Sequence, residues 1–424
     1  VNSRLSFVSD WYHLGRWSQY LLLVACLAGI VGLLTTARAL VALAPVTAVV
    51  AALLNPDLRR NVPGWLHNGA VRRAAVLYLL IPLTWWYTED WATWRHEVYR
   101  QLPLIGVPLA FALAVPLSGR QRFGLGVLFT GGVAALGLAT VGRYLLDPAA
   151  AQELIRVGQN IPAVTGIFHI HFGVLLALAA FFAASLSQEP QASRAGRGLL
   201  LGVGAVAALS LHVLAYRTGL LAFYLTLAAS LGLLLFSRPR LALGLAVLAA
   251  AVVLGAYYGL PSVHTRVATT VYDVQQFYYS HDINQFSLAR RLAAWQNAAV
   301  LVQEHPWLGV APADVRQAMD EQFSWQTYGL TAANRVMIHN QYLHYLVGGG
   351  VVGLLLWLWV LITPLLQPTT RRNPYVRQFL FVFGAAALAD SLLELQIGFN
   401  LFVFLYGFVV VAAERQLTSA GVTR

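Results

Sequence analysis

Long apolar runs alternate with short polar breaks almost from end to end of the chain, and one polar stretch, residues 261 to 340, interrupts that rhythm. The runs are roughly 17 to 25 residues long, the length a helix needs to cross a hydrocarbon core. None shows the ten-residue alternation of an outer-membrane barrel strand, so they predict helices, which satisfy their own backbone groups one segment at a time. About twelve are expected, near 17–36, 39–54, 74–87, 102–118, 123–141, 167–186, 198–215, 219–236, 241–259, 342–366, 377–392 and 395–413. The pattern thus predicts an all-α integral membrane protein with one membrane domain. Spans one to nine fill residues 1–260, a large loop fills 261–340, and spans ten to twelve with a terminal tail fill 341–424.

Within the large loop, SLARRLAAWQNAAVLVQEH predicts an amphipathic helix with Leu292, Trp295, Ala299 and Val302 on one stripe, stopping at Pro306. A second short helix is expected over DVRQAMDEQF. Both are expected at the membrane surface, walling a cavity. The first apolar run ends in Ala37-Arg38-Ala39, like a signal-peptidase site, but its length and the span that follows mark it as an uncleaved helix.

Composition agrees with this picture. At 58% hydrophobic and 11% charged residues, with a mean hydropathy of +0.64, the chain has too little polar surface for a soluble globule. The formal charge of +11 comes from basic residues that are all arginine, and no soluble basic domain is present to bind nucleic acid. Instead, the arginines set orientation. Arg59, Arg60, Arg72 and Arg73, Arg120 and Arg122, Arg194 and Arg197, Arg238 and Arg240, and Arg371, Arg372 and Arg377 fall in alternate loops. By the positive-inside rule these loops and both termini are cytoplasmic, which puts residues 261–340 outside. The single cysteine, Cys26, lies in the first run, so neither a disulfide framework nor a cysteine-based metal site can form within the chain. No internal repeat is visible, and the large loop has no counterpart in the first half, unlike a transporter built on inverted repeats.

Charged groups at membrane depth are costly and therefore candidates for function. Arg217 sits in a two-residue gap between apolar runs, as a turn residue snorkelling to headgroups or as a fixed cation for a phosphate. Arg290 and Arg291 open the loop helix; Arg290 reads equally as surface charge, whereas Arg291 shares a face with Trp295. Arg266, just past span nine, fits an interface anchor as well as an anion contact. His339, beside Asn340 at the mouth of span ten, is the candidate general base, because imidazole suits proton removal near neutral pH. His344 points elsewhere and reads as packing. His169 and His171 diverge on a helix, which disfavours a metal site and leaves hydrogen bonding to a sugar. Asp390, one helical turn before Glu394, needs a partner: a histidine or arginine to orient, or a structural pair. The run Gly348–Gly350 with Gly353 lies inside an apolar helix and serves close packing.

Taken together, these residues resemble the O-antigen ligase family, part of a group that includes O-antigen polymerases and protein O-oligosaccharyltransferases. Its motif of His, then Asn, Ser or Gln, nine residues, Gly, two residues and Gly is matched by His339, Asn340, Gly350 and Gly353. A loop pattern of Arg, three residues and Trp, then a helix to Pro, two residues and Gly, is matched by Arg291, Trp295, Pro306 and Gly309. Arg217-Thr218-Gly219 matches an Arg-Ser/Thr-small step between spans. The segment GVAPAD departs from the more glycine-rich turn of relatives.

The resemblance implies transfer of a finished O-antigen glycan from undecaprenyl diphosphate to a sugar hydroxyl of lipid A–core, at the periplasmic face of the bacterial inner membrane. His339 would then take the acceptor's proton. Arg217 and Arg291, with Arg266, would hold the diphosphate, so that neither metal nor cofactor is required and the anomeric centre inverts. Arg290, Asn340, His169, His171 and Trp295 would contact substrate, with Asp390 behind them. A polymerase would take another lipid-linked glycan as acceptor. A protein oligosaccharyltransferase would take a Ser or Thr and often carries a further outside domain, so the short tail after the last span favours a ligase. A transporter or flippase for an anionic lipid is the alternative from another class.

Overall fold

The computed structural model describes residues 9–157, 159–279 and 282–415, and among them every regular element is a helix. The predicted cytoplasmic ends, Arg4 and residues 416–424, lie outside the described residues. Helices α1 (Arg16–Thr35) and α2 (Arg38–Leu53) form a tight hairpin through Thr36, and α3 (Leu58–His67) bends from α2 by 117°. Then come α4 (Gly69–Leu79), α5 (Trp91–Arg100), α6 (Pro103–Leu113), α7 (Gly119–Leu146) and α8 (Pro148–Arg156). Helices α9 (His169–Leu186), α10 (Arg194–Leu214), α11 (Arg217–Ser237) and α12 (Pro239–Gly259) complete the first part. The polar segment supplies α13 (Pro261–Tyr278), α14 (Ser287–Glu304) and α15 (Val315–Trp325). Last come α16 (Gln341–Leu366), α17 (Pro374–Ala386) and α18 (Gln396–Leu405), the last running on through a π-helical turn at Tyr406–Val411.

Eight of the described helices are long and apolar enough to cross a membrane, or nine if the bent α2–α3 pair is one span. The other predicted spans fall on α2, α4, α6 and α17, of 16, 11, 11 and 13 residues. Proline is one reason for their shortness: α4 runs into a 3-10 turn at Pro82–Trp86, and α6 lies between Pro103 and Pro116. Arg73, expected among loop charges, is instead buried within α4 and pairs with Glu414 and Tyr406.

Helix α9 is the axis of the bundle, buried on nearly every side and packed against α7, α10, α11 and α17. Gly173 of α9 meets Gly219 of α11 so closely that a Cβ on Gly219 would lie 2.6 Å from the Gly173 Cα. That contact fixes the first turn of α11, and with it Arg217.

The polar segment has its own core, where Ala289, Ala293, Ala294, Ala298 and Leu301 of α14 meet Val315, Met319 and Phe323 of α15 and Val347 of α16. The buried stripe of α14 is therefore this alanine-rich one. Of the predicted stripe, Leu292, Trp295 and Val302 are half-buried and Ala299 is exposed, because small side chains let α14 approach α15 and α16 closely. Helix α13 was not expected: its low hydropathy reads as loop, yet Pro261 at its first position starts it cleanly. Buried Asp314 fastens the segment to the bundle by accepting from the Thr88 hydroxyl and the Glu89 and Asp90 amides.

Helix α16 breaks at Gly350, whose φ of 59° and ψ of −159° belong to no helix. The chain at Pro306–Val310 uses the gap: Val310 N–H donates to the Val347 carbonyl, and Val351 N–H donates to that of Pro306. A Cβ at Gly350 would lie 2.2 Å from the Trp307 backbone, and one at Gly309 2.3 Å from the Val347 oxygen. Gly350 does serve close packing, but against a loop rather than a helix.

Candidate active site

The chain reaches His339 through an extended segment and places it at φ 46°, in the left-handed region. Histidine tolerates this better than most residues, and such strain is found preferentially at functional positions. Two contacts hold it there. The Trp295 indole N–H donates to the Ile338 carbonyl at 2.6 Å, and the Asn340 side chain accepts from Leu343 N–H, capping α16. Residues 340–341 are also stitched to the turn beyond α17, through Asn340 N–H to the Ser391 hydroxyl and Gln341 N–H to the Ala387 carbonyl.

That turn carries Asp390. Its Oδ1 lies 2.8 Å from His339 Nδ1 and accepts from Ser391 N–H at 2.8 Å. The carboxylate is 8% exposed and the imidazole 29%. With Nδ1–H donating to Asp390, Nε2 carries the lone pair and is the atom able to accept a proton. Burial pushes the Asp390 carboxyl up, but the His339 hydrogen bond and the charges of His339, Arg291 and His171 outweigh it. The group therefore stays ionised below the usual carboxylate range.

The four candidate arginines gather beside this pair. Arg291 donates to the Ala389 carbonyl at 2.6 Å, next to Asp390. Arg217, the first residue of α11, reaches Asp273 at 3.4 Å and the Thr269 hydroxyl at 3.2 Å. Arg266 is buried on α13 and donates to the Gln159 carbonyl, and Arg290 donates to Asn334. Burial, then the charge of Arg217, pushes Arg266 down to about 10. Burial lowers Arg291 too, partly offset by Asp390 and reinforced by Arg217 and Arg290. Cations crowded this way repel one another, and a bound anion relieves the repulsion.

Sequence reasoning passed over Asp273. It reads as one of six acidic residues of the loop, yet it is buried, takes Arg217, and accepts from Leu288 N–H in the first turn of α14. One carboxylate thus ties α11, α13 and α14 together, at the helix end where negative charge is favoured. No spacing rule joins residues 217, 273 and 288; only the fold does.

Among the remaining predicted residues, His169 is half-buried, its ring against Phe168 and Tyr216, and it lies within the field of Arg291, Asp390 and Arg266. His171 is 2% exposed and packs against Gly398, which sets it behind the pair rather than beside open space. Asn340 spends its side-chain oxygen on the helix cap. Trp295 positions the segment before His339. His344 pairs with Glu394 at 3.2 Å, and Glu394 in turn reaches Arg100 at 3.6 Å, a neighbouring ionic group. Among the described residues no three His, Cys, Asp or Glu side chains converge as ligands for one ion.

The assembly therefore joins an imidazole oriented by a buried carboxylate to a concentration of guanidinium groups. It can take a proton from a hydroxyl and hold a large anion beside it. No curated protein matches the chain. Over residues 202–358, which include Arg217, Arg266, Arg291 and His339, this multi-pass membrane protein matches the family described as O-antigen ligase.

Proposed function

We propose that the protein transfers an O-antigen glycan from undecaprenyl diphosphate to a sugar hydroxyl of lipid A–core, on the periplasmic side of the inner membrane. The observation that carries this reading is the His339–Asp390 pair set against Arg217, Arg266 and Arg291. His339 Nε2 takes the proton of the acceptor hydroxyl as its oxygen attacks the anomeric carbon. The bond from that carbon to the diphosphate breaks on the opposite face, and the leaving group departs with the electron pair, so the anomeric centre inverts. Arg217 and Arg291, with Arg266, bind the charge that accumulates on the diphosphate, and Asp390 stabilises the imidazolium. The arginines supply the counter-charge that a divalent ion supplies in other transferases, which supports a metal-independent reaction. Arginine-bearing loops at the other end of the bundle support a periplasmic site.

The test is transfer by the purified protein in detergent, with undecaprenyl-diphosphate glycan, lipid A–core and a chelator present. Glycosylated lipid A–core that disappears in His339→Ala is expected. Longer lipid-linked chains with no product on lipid A–core would make the protein a polymerase. Loss of transfer in chelator, restored by a divalent ion, would refute the role given to the arginines.

A further inference from the structure

A cavity of about 470 Å³ lies at the end of the bundle opposite His339, walled by α1, α2, α7, α9, α17 and α18. Its position follows from the helices. Arg122 is in the first turn of α7, Glu189 lies just past the end of α9, and Asn373 and Tyr375 begin α17. The far ends of α9 and α17 lead to His169 and Asp390, so the cavity is separated from the active site by roughly the length of a span.

Its lining changes character along its length. Cys26, Gly29, Leu33, Phe129, Phe182 and Phe404 make an apolar shaft, with buried Asn400 in its wall. Among the described residues, the charged groups that line it are the exposed Arg122 and Glu189. Tyr375 donates its hydroxyl to Glu189 at 3.0 Å, and the Tyr375 ring packs edge-on to Phe182 at 5.6 Å. The carboxylate is thus held at the lip instead of swinging into solvent. The volume is that of a small-molecule site, on the order of 300–1,000 Å³.

The pairing of charges identifies the occupant. A shaft of aliphatic and aromatic walls takes an acyl chain. A guanidinium and a carboxylate lining one cavity complement a headgroup that carries both a phosphate and an ammonium. A purely anionic headgroup would meet Glu189 unfavourably. We infer that the cavity binds one ethanolamine-type glycerophospholipid, its acyl chain in the shaft between α1, α7 and α18, its phosphate on Arg122 and its ammonium on Glu189. Neither charged residue belongs to the transfer site, so this lipid is a structural ligand and not a substrate.

Native mass spectrometry of the full chain in detergent, titrated with phosphatidylethanolamine or with phosphatidylglycerol of the same acyl chains, tests this directly. Wild type is expected to hold one phosphatidylethanolamine about fivefold more tightly than phosphatidylglycerol, the worth of one partly exposed ion pair. Glu189→Gln keeps an acceptor for Tyr375 and should lose that preference, and Arg122→Gln should weaken both lipids. At Gly29, which lines the shaft, an added Cβ would touch Ala44 and Phe404 at 3.8 Å without overlap, so the larger Gly29→Leu should crowd the shaft and weaken retention of both lipids. If Gly29→Leu does not fold, the Glu189→Gln comparison decides alone. Equal affinity of wild type for the two lipids, or a preference that survives Glu189→Gln, overturns the proposal. So does a co-purified polyprenyl phosphate that phosphatidylethanolamine fails to displace.

Discussion

Asp390→Asn keeps the shape of the carboxylate and removes only its charge. Because Oδ1 alone accepts from both His339 Nδ1 and Ser391 N–H, each at 2.8 Å, an amide oxygen can take over both bonds. What disappears is a buried negative charge facing His339 and Arg291. A hydrogen bond to a charged partner is worth about 1.5–3 kcal/mol and a neutral one about 0.5–1.5 kcal/mol. The difference, about 1–2 kcal/mol, counts fully only when His339 carries the acceptor's proton, so it falls on the transition state. It corresponds to a roughly 5- to 30-fold lower kcat with little change in the KM for acceptor. Asp390→Ala also removes the acceptor and leaves the imidazole free to turn, which raises the loss to at least about 10- to 150-fold. The assay is the initial rate of glycan transfer at saturating donor and acceptor, with the melting temperature recorded for each variant. A folded Asp390→Asn protein that works at the wild-type rate would refute the claim that this carboxylate supports proton transfer.

Asp273→Asn should keep the bond from Leu288 N–H but lose the ion pair with Arg217, which is 27% exposed. An expected loss of about 1–3 kcal/mol in stability, together with a raised KM for the lipid-linked donor, is checked by thermal melting and donor titration. Gly350→Ala puts a Cβ 2.2 Å from the Trp307 backbone at a φ/ψ pair reserved for glycine, so it should cost more than about 3 kcal/mol and deplete folded protein in the membrane. By contrast, Gly142→Ala meets open space inside α7 and should be neutral or stabilising by up to about 1 kcal/mol. Ala311 has a φ of 82°, so Ala311→Gly relieves strain of about 1–2 kcal/mol against a similar loss in entropy and burial; its melting temperature should match wild type. The Asp390 carboxyl is held below its ordinary value, so its stabilisation is complete above the unfolded pKa of about 3.9 and fades as pH falls through the folded one. The melting-temperature gap between wild type and Asp390→Asn should therefore close below about pH 4.

Hydropathy made the helical membrane architecture legible, because burial in lipid leaves an unbroken apolar run as its trace. It was less informative about helices shielded by neighbours. The structure gives α4, α6 and α17 only 11, 11 and 13 residues, while sequence smoothed each into a full span. Helix α13 was hidden for the opposite reason, since its buried face carries the charged Arg266 and Asp273 and its valines, Val263, Val267, Val271 and Val274, make no continuous apolar run. The candidate site was legible wherever a residue stood out against its surroundings. His339, Arg217 and Arg291 are costly groups near apolar runs, and the fold brings them together. Asp273 was not legible, because an acidic residue in a polar loop is ordinary until its partners are known.

The spacing from His339 to Gly350 and Gly353, and from Arg291 to Pro306 and Gly309, has one physical origin. Helix α14 carries Arg291 near its start, and the turn at Pro306–Val310 just after its end pairs with the gap in α16 at Gly350. Helix α16 in turn begins directly after His339. The two helices are therefore pinned at a single backbone crossing, eleven residues from His339 on one arm and fifteen from Arg291 on the other. At about 1.5 Å per helical residue, each arm acts as a stiff strut of roughly 16–22 Å. An inserted residue in either strut would rotate its functional end by about 100°. The glycines thus shape the candidate site from a distance. They allow the backbones to touch, and that contact sets where His339 stands relative to Arg291.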